Sequence, residues 1–131
     1  MMIDRITLLY LQDGKILTAR SRGKTAWYLP GGKREGNETD LETLTREVKE
    51  ELSVNVVPET VCLYGVFEGQ AHGKPDGTIV RLTCYRAELD RTPVPSSEVE
   101  ELRWLSFADV DTVPPADVAI YQDLYRKGLL Y

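Results

Sequence analysis

Residues 31–54 read GGKREGNETDLETLTREVKEELSV, and the folding of this stretch decides the rest. A double glycine opens it and a helix signature follows. Thr39 is a good N-cap with Glu42 three residues on, the capping-box arrangement. Leu41, Leu44, Val48 and Leu52 recur at i, i+3, i+7 and i+11, one apolar stripe on a helix. Of the six glutamates here, Glu47, Glu50 and Glu51 fan out beside that stripe, so their carboxylates point into a common volume. Repulsion does not forbid this. Like-charge i, i+4 pairs cost only about 0.2–0.5 kcal/mol each, whereas each buried Leu or Val contributes roughly 1.5–3 kcal/mol. A solvated acidic face is equally compatible with these energies.

The surroundings of the glutamates favour a site. Oxygen-only carboxylate clusters suit hard divalent cations, and Mg²⁺ takes carboxylates together with substrate phosphates. Gly31 and Gly32 let backbone approach a ligand without an intervening Cβ. Lys33 and Arg34 bring positive charge suited to phosphate oxygens. Arg46, beside Glu47 and four residues before Glu50, can orient a carboxylate. Together these residues have the make-up of a metal-assisted phosphate site.

Outward from the helix, ITLLYLQ and KILTARS read as two strands joined by a tight turn at Asp13-Gly14. Trp27-Tyr28-Leu29 reads as a short strand stopped by Pro30. VVPETVCLYGVFE and TIVRLTCYRAEL are strand-like, with the polar loop GQAHGKPDG between them. RTPVPSSEVEE is a second loop, leading into the short strand LRWLS. ADVAIYQDLYRKG reads as a final helix, with Pro114 and Pro115 before it and Gly128 as its C-cap. Strands between two helices indicate an α/β layered domain, and 131 residues suit one domain, 1–131.

Composition narrows the function classes. A net charge of −5 with no visible basic stripe argues against a nucleic-acid polymer as partner. Cys62 and Cys84 sit in apolar runs without metal-type spacing, and read as core hydrophobes in a reducing compartment. The N-terminal apolar run is too short for a signal peptide, and no segment approaches the roughly 18 apolar residues needed to span a membrane. The expectation is a cytoplasmic protein.

The central stretch resembles the Nudix box, G-x5-E-x7-R-E-U-x-E-E-x-G-U, with U a bulky aliphatic residue. Gly32, Glu38, Arg46, Glu47, Val48, Glu50, Glu51 and Val54 occupy its positions. A chance match of the glycine and five charged positions is on the order of 10⁻⁷ per starting point, so the motif is specific. Ser53 stands where the pattern has glycine, which should distort the helix exit by about 1 kcal/mol. Asn37 stands where such loops often carry glycine, and tolerates left-handed backbone well. WYLPGGK before the box and EVEELRWLSFADV after it extend the resemblance more loosely along the chain.

The resemblance implies the Nudix fold, a mixed β-sheet sandwiched between α-helices. It also implies hydrolysis of a nucleoside diphosphate linked to another moiety, with Mg²⁺ or Mn²⁺. On that basis Glu50 and Glu51 are the main metal ligands, joined by Glu47, Glu38 and the Gly31 carbonyl. Arg46 holds Glu47, which either binds metal or orients water. Lys33, Arg34 and Arg20 are the candidates for phosphate contacts, Trp27 for stacking on a base, and Glu98 or Glu100 for the general base. His72, the sole histidine, reads as exposed. Signatures of the ADP-ribose, dinucleoside-polyphosphate and coenzyme A types are lacking. The leading expectation is therefore a MutT-like enzyme acting on a (deoxy)nucleoside triphosphate. A non-catalytic nucleotide-sensing module that binds a protein partner is the alternative; such modules commonly lose box glutamates, and this chain keeps them. Dimers are frequent among such proteins, which makes a homodimer the expected assembly to test.

Overall fold

The structure, a computed structural model, describes residues 2–131. Its seven strands are β1 (Met2–Leu9), β2 (Leu11–Gln12), β3 (Lys15–Ser21), β4 (Gly31–Lys33), β5 (Cys62–Gln70), β6 (Ile79–Arg86) and β7 (Val99–Leu105). Its two α-helices are α1 (Asp40–Leu52) and α2 (Val118–Arg126). The strands form a four-stranded sheet in the order β4-β1-β6-β5 and a three-stranded one in the order β2-β3-β7. In the first, β1 runs parallel to β6 and antiparallel to β4, while β5 and β6 are antiparallel. The sheet is therefore mixed, as expected.

Side chains alternate across β1 and feed two cores. Ile6 and Leu8 pack with Leu44, Val48 and Leu52 of α1. Leu9 packs on the opposite side with Ile120, Tyr121 and Leu124 of α2. The sheet thus lies between the two helices. Asp13 (φ 51°) and Gly14 (φ 76°) make the two-residue turn with positive φ at both positions, pairing β2 with β3. The strand read as ITLLYLQ is broken at Tyr10: its first part enters the mixed sheet and Leu11–Gln12 enters the other. Trp27–Leu29 is not a strand but a single bridge, Tyr28 to Ala19, and the regular strand comes after it at the glycines.

Helix α1 begins as its sequence requires. The Thr39 hydroxyl accepts from the Glu42 amide, and the Glu42 carboxylate accepts from the Thr39 amide. Its buried stripe is Leu44, Val48 and Leu52, spaced by four, with Thr43 beside it. Leu41 lies in the first turn and is 41% exposed, so the apolar stripe starts one turn later than its spacing predicts. Ser53 adopts φ 57° and ψ 29°, the left-handed conformation a glycine would take. The helix exit is thus intact rather than distorted. In the preceding loop the left-handed residue is Gly36, not Asn37.

At the other end of the chain, Gly128 (φ 73°) closes α2: its amide donates to Tyr125 and that of Leu129 to Leu124, a Schellman-type cap. Of the cysteines, Cys84 is buried as expected. Cys62 is exposed, because it opens the edge strand β5, where neighbouring strands cover only one side. Among the described residues no helix is long and apolar enough to cross a membrane.

Candidate active site

The main cleft, of about 900 Å³, runs from α1 across β4 and β1 to the 71–74 loop and the start of α2. Its α1 wall is built on the glycine turn. The Gly31 amide donates to Glu51 Oε1 at 2.9 Å. A Cβ on Gly32 would stand 2.1 Å from Glu47 Oε2, so the Glu47 carboxylate lies directly against that backbone. Gly31 itself has φ 142°, and a Cβ there would meet the Ile6 carbonyl oxygen at 2.0 Å. Glycine at 31 is what lets strand β4 sit against β1, and the bare Gly32 leaves room for the Glu47 carboxylate.

The electrostatics of this wall are those of charge buried beyond its compensation. Burial raises the Glu51 carboxyl to about 7, opposed by the Gly31 N–H and reinforced by repulsion from Glu47. Burial also raises Glu47, against the hydrogen bond from Arg46. Glu50, named with Glu51 from the sequence as a main metal ligand, is half-exposed and does not line the cleft as it stands; Arg46 Nη1 lies 3.7 Å from it. The Gly31 carbonyl accepts from Arg5 Nη2 at 3.1 Å. Among the described residues no three carboxylates or other metal-binding side chains converge as they stand. The donor chemistry nonetheless fits a hard divalent cation: two neighbouring, desolvated carboxylates on a glycine turn are oxygen donors whose ionised forms need positive charge.

Arg46 explains the shape of the acidic cluster. Its Nε and Nη2 donate to the two oxygens of Glu38 at 2.8 and 3.0 Å, its Nη1 to Glu47 at 3.1 Å and its Nη2 to the Lys33 carbonyl at 3.0 Å. Glu38 also accepts from the Thr43 hydroxyl and the Glu35 amide, and these donors, Arg46 foremost, hold it at about 2. Glu38 therefore braces Arg46 against α1 and does not line the cleft.

Of the other residues anticipated from sequence, Lys33 and Glu98 line the cleft. Arg34 is turned to Asp40 and Asp4 at 2.7 and 3.4 Å, and Arg20 to Glu100 and Glu101 at 2.6 and 3.1 Å; neither lines the cleft. Glu100, the other general-base candidate, is thereby committed to an ion pair outside the cleft. Trp27 is corrected as a stacking residue. It is buried in the α2-side core, its ring covered by the Arg20 and Arg103 guanidinium groups at 5.8 and 5.6 Å. Its neighbour Tyr28 lines the cleft instead, edge-on to His72 at 6.1 Å.

Several cleft residues escaped the sequence reading, among them Arg5, Lys74 and Asp117. Arg5 sits on β1 between Asp4 and Ile6, 26 positions before its partner Gly31, and no local pattern marks it. Asp117 precedes α2 and lines the far wall, 6% exposed, with its carboxyl pushed up to about 7 by burial and partly offset by Arg5. A Pro-Pro-Ala-Asp helix entry was visible, but the burial of its aspartate was not.

The sequence profile of the NUDIX domain matches residues 3–127. An RNA pyrophosphohydrolase of Halorhodospira halophila is 45% identical over 53 residues, which is 40% of this chain and only 28% of that relative. A CTP pyrophosphohydrolase of Escherichia coli is 25% identical over 127 residues, covering 92% of this chain and 90% of the relative. The fold superposes on the crystal structure of a MutT protein from Methanosarcina mazei with a TM-score of 0.77 at 22% identity, covering 97% and 95% of the two chains. With the box on α1 and the profile spanning nearly the whole chain, this protein belongs to the Nudix family.

Proposed function

We propose that this protein hydrolyses a pyrophosphate bond in a (deoxy)nucleoside triphosphate, with a divalent cation, Mg²⁺ or Mn²⁺, as cofactor, in a MutT-like housecleaning role. The observation that carries this reading is the contact of Glu47 and Glu51 with the Gly31–Gly32 turn, at one end of a cleft that Asp117 closes at the other. In this reading Glu47, Glu50 and Glu51 hold the cation, next to the Gly31 carbonyl. Glu38 and Arg46 fix the position of Glu47. A bound cation supplies polarisation of the phosphorus–oxygen bond and a more acidic attacking water.

The chain's own residues do the rest. Arg5, Lys33 and Lys74 line the cleft and meet the phosphate oxygens. Glu98 takes the proton of water as it adds to phosphorus, and a phosphate or pyrophosphate group leaves. Tyr28 and the Asp117 carboxyl face the base. A carboxyl titrating near neutrality accepts from an exocyclic amine when ionised and donates to a ring nitrogen when protonated. The likeness to a CTP pyrophosphohydrolase over 92% of the chain supports a nucleoside triphosphate as the substrate class.

The test is a panel of ribo- and deoxyribonucleoside triphosphates, ADP-ribose and capped RNA, incubated with Mg²⁺ and resolved by mass. The expected products are a nucleoside monophosphate and pyrophosphate, with Glu51→Gln abolishing turnover. Binding of a nucleotide without cleavage would establish the sensing module in place of the enzyme.

A further inference from the structure

We propose that the segment Val94–Glu98 is a strut that sets the Glu98 carboxylate in register with the carboxylate helix α1, and that Ser96 and Arg22 are its positioning residues. The inference rests on the reading of Glu98 as general base. It starts from the C-terminus of α1, where the last four carbonyls of any helix lack partners within it. Here all four are met. The Ser53 amide donates to the Lys49 carbonyl at 3.1 Å. The other three acceptors are taken by the strut: the Val94 amide donates to Leu52 at 3.0 Å and the Ser96 amide to Glu51 at 3.1 Å. The Ser96 hydroxyl donates to the Glu50 carbonyl.

Of the residues capped in this way, Glu51 lines the acidic wall of the cleft, and Glu50 precedes it on the same helix. One serine thus ties the backbone of Glu50 and Glu51 to a segment that ends, two residues later, at Glu98. The opposite side of the segment is held from the end of β3. Arg22 Nη1 donates to the Ser97 carbonyl at 2.7 Å, and the Arg22 amide to the Glu98 carbonyl at 3.0 Å. Between these anchors Ser97 takes φ 57°, and the Val99 amide donates back to Ser96 at 3.1 Å. A left-handed serine persists only where its surroundings dictate it. The turn aims the chain so that Glu98 lines the cleft while Val99 is buried in β7. A loop carboxylate is thereby given the fixed distance to the metal helix that proton abstraction requires.

The test measures Ser96→Ala, Ser96→Thr, Glu98→Gln and the double variant Ser96→Ala/Glu98→Gln. Ser96→Ala is expected to lower kcat about 10- to 100-fold with KM unchanged. Ser96→Thr, which keeps the hydroxyl, restores it, and the double variant is no slower than Glu98→Gln alone. Losses that multiply, or a change confined to KM, would overturn the strut. A second readout needs no turnover: Mn²⁺ alone is added to isotopically labelled protein, and the paramagnetic broadening of Glu98 is read by NMR. Ser96→Ala should weaken it while leaving Glu47 broadened; equal broadening in the two proteins rejects the proposal. Should no nucleotide be cleaved by the unmodified protein, the enzymatic reading fails, and the broadening still decides whether Ser96 positions Glu98.

Discussion

Ser53 occupies a left-handed position at φ 57° without the conformational freedom of glycine, at a cost of about 1 kcal/mol. Ser53→Gly should stabilise the protein by up to that amount, raising Tm by about 3 °C in a calorimetric scan; an unchanged or lower Tm would show that the serine is unstrained. Asp117 makes a second prediction. Its folded value of about 7 lies above the ordinary 3.8. The associated stability is therefore full below about pH 4 and lost as pH rises through about 7. Asp117→Asn removes that titration. In urea melts the variant should exceed the parent at about pH 8 by at most about 4 kcal/mol, and the two should converge near about pH 4. Individual site residues differ in how legible they were. Glu47 and Glu51 could be read from a motif, since their spacing alone puts them on one helix face. Arg5 and Asp117 could not, because they reach the site through strand pairing and helix packing across the chain. Trp27 and Tyr28 show how a one-residue step exchanges core for cleft.

Helix α1 is where local sequence and observed structure agree best, because capping boxes and i, i+4 packing act within a few residues. Thr39→Ala removes the hydroxyl that accepts from Glu42 and should cost about 1 kcal/mol in chemical denaturation, with the fold retained. Gly31→Ala acts differently. Its Cβ would stand 2.0 Å from the Ile6 oxygen, so β4 must leave β1 or the chain must unfold. Strands were less legible than the helix. The break at Tyr10 divides one apolar run between two sheets, and the first half finds its parallel partner far along the chain, in the pairing of Met2–Leu9 with Ile79–Arg86. Strand β4 has no strand-like composition at all; it exists because Gly31–Lys33 pairs with Arg5–Thr7.

At the scale of the molecule, the charge balance of the cleft differs from that of the chain. The chain carries net charge −5, yet Arg5, Arg22, Lys24, Lys33 and Lys74 line the cleft against Glu47, Glu51, Glu98 and Asp117. Basic groups are thus concentrated where phosphates would lie, and a bound cation would tip the balance further. The mixed sheet between two helices supplies the frame: α1 brings the carboxylates to the β4 edge, and the entry to α2 brings Asp117 to the other end of the cleft. In the proposed function Glu47 and Glu51, seated on the glycine turn, gather a divalent cation. Titration with Mn²⁺, following the free ion by electron paramagnetic resonance, tests it most directly. The unmodified protein should take up Mn²⁺, Glu51→Gln should weaken uptake about tenfold or more, and Glu59→Gln, outside the cleft, should not change it. Equal uptake by Glu51→Gln and the unmodified protein would contradict the account.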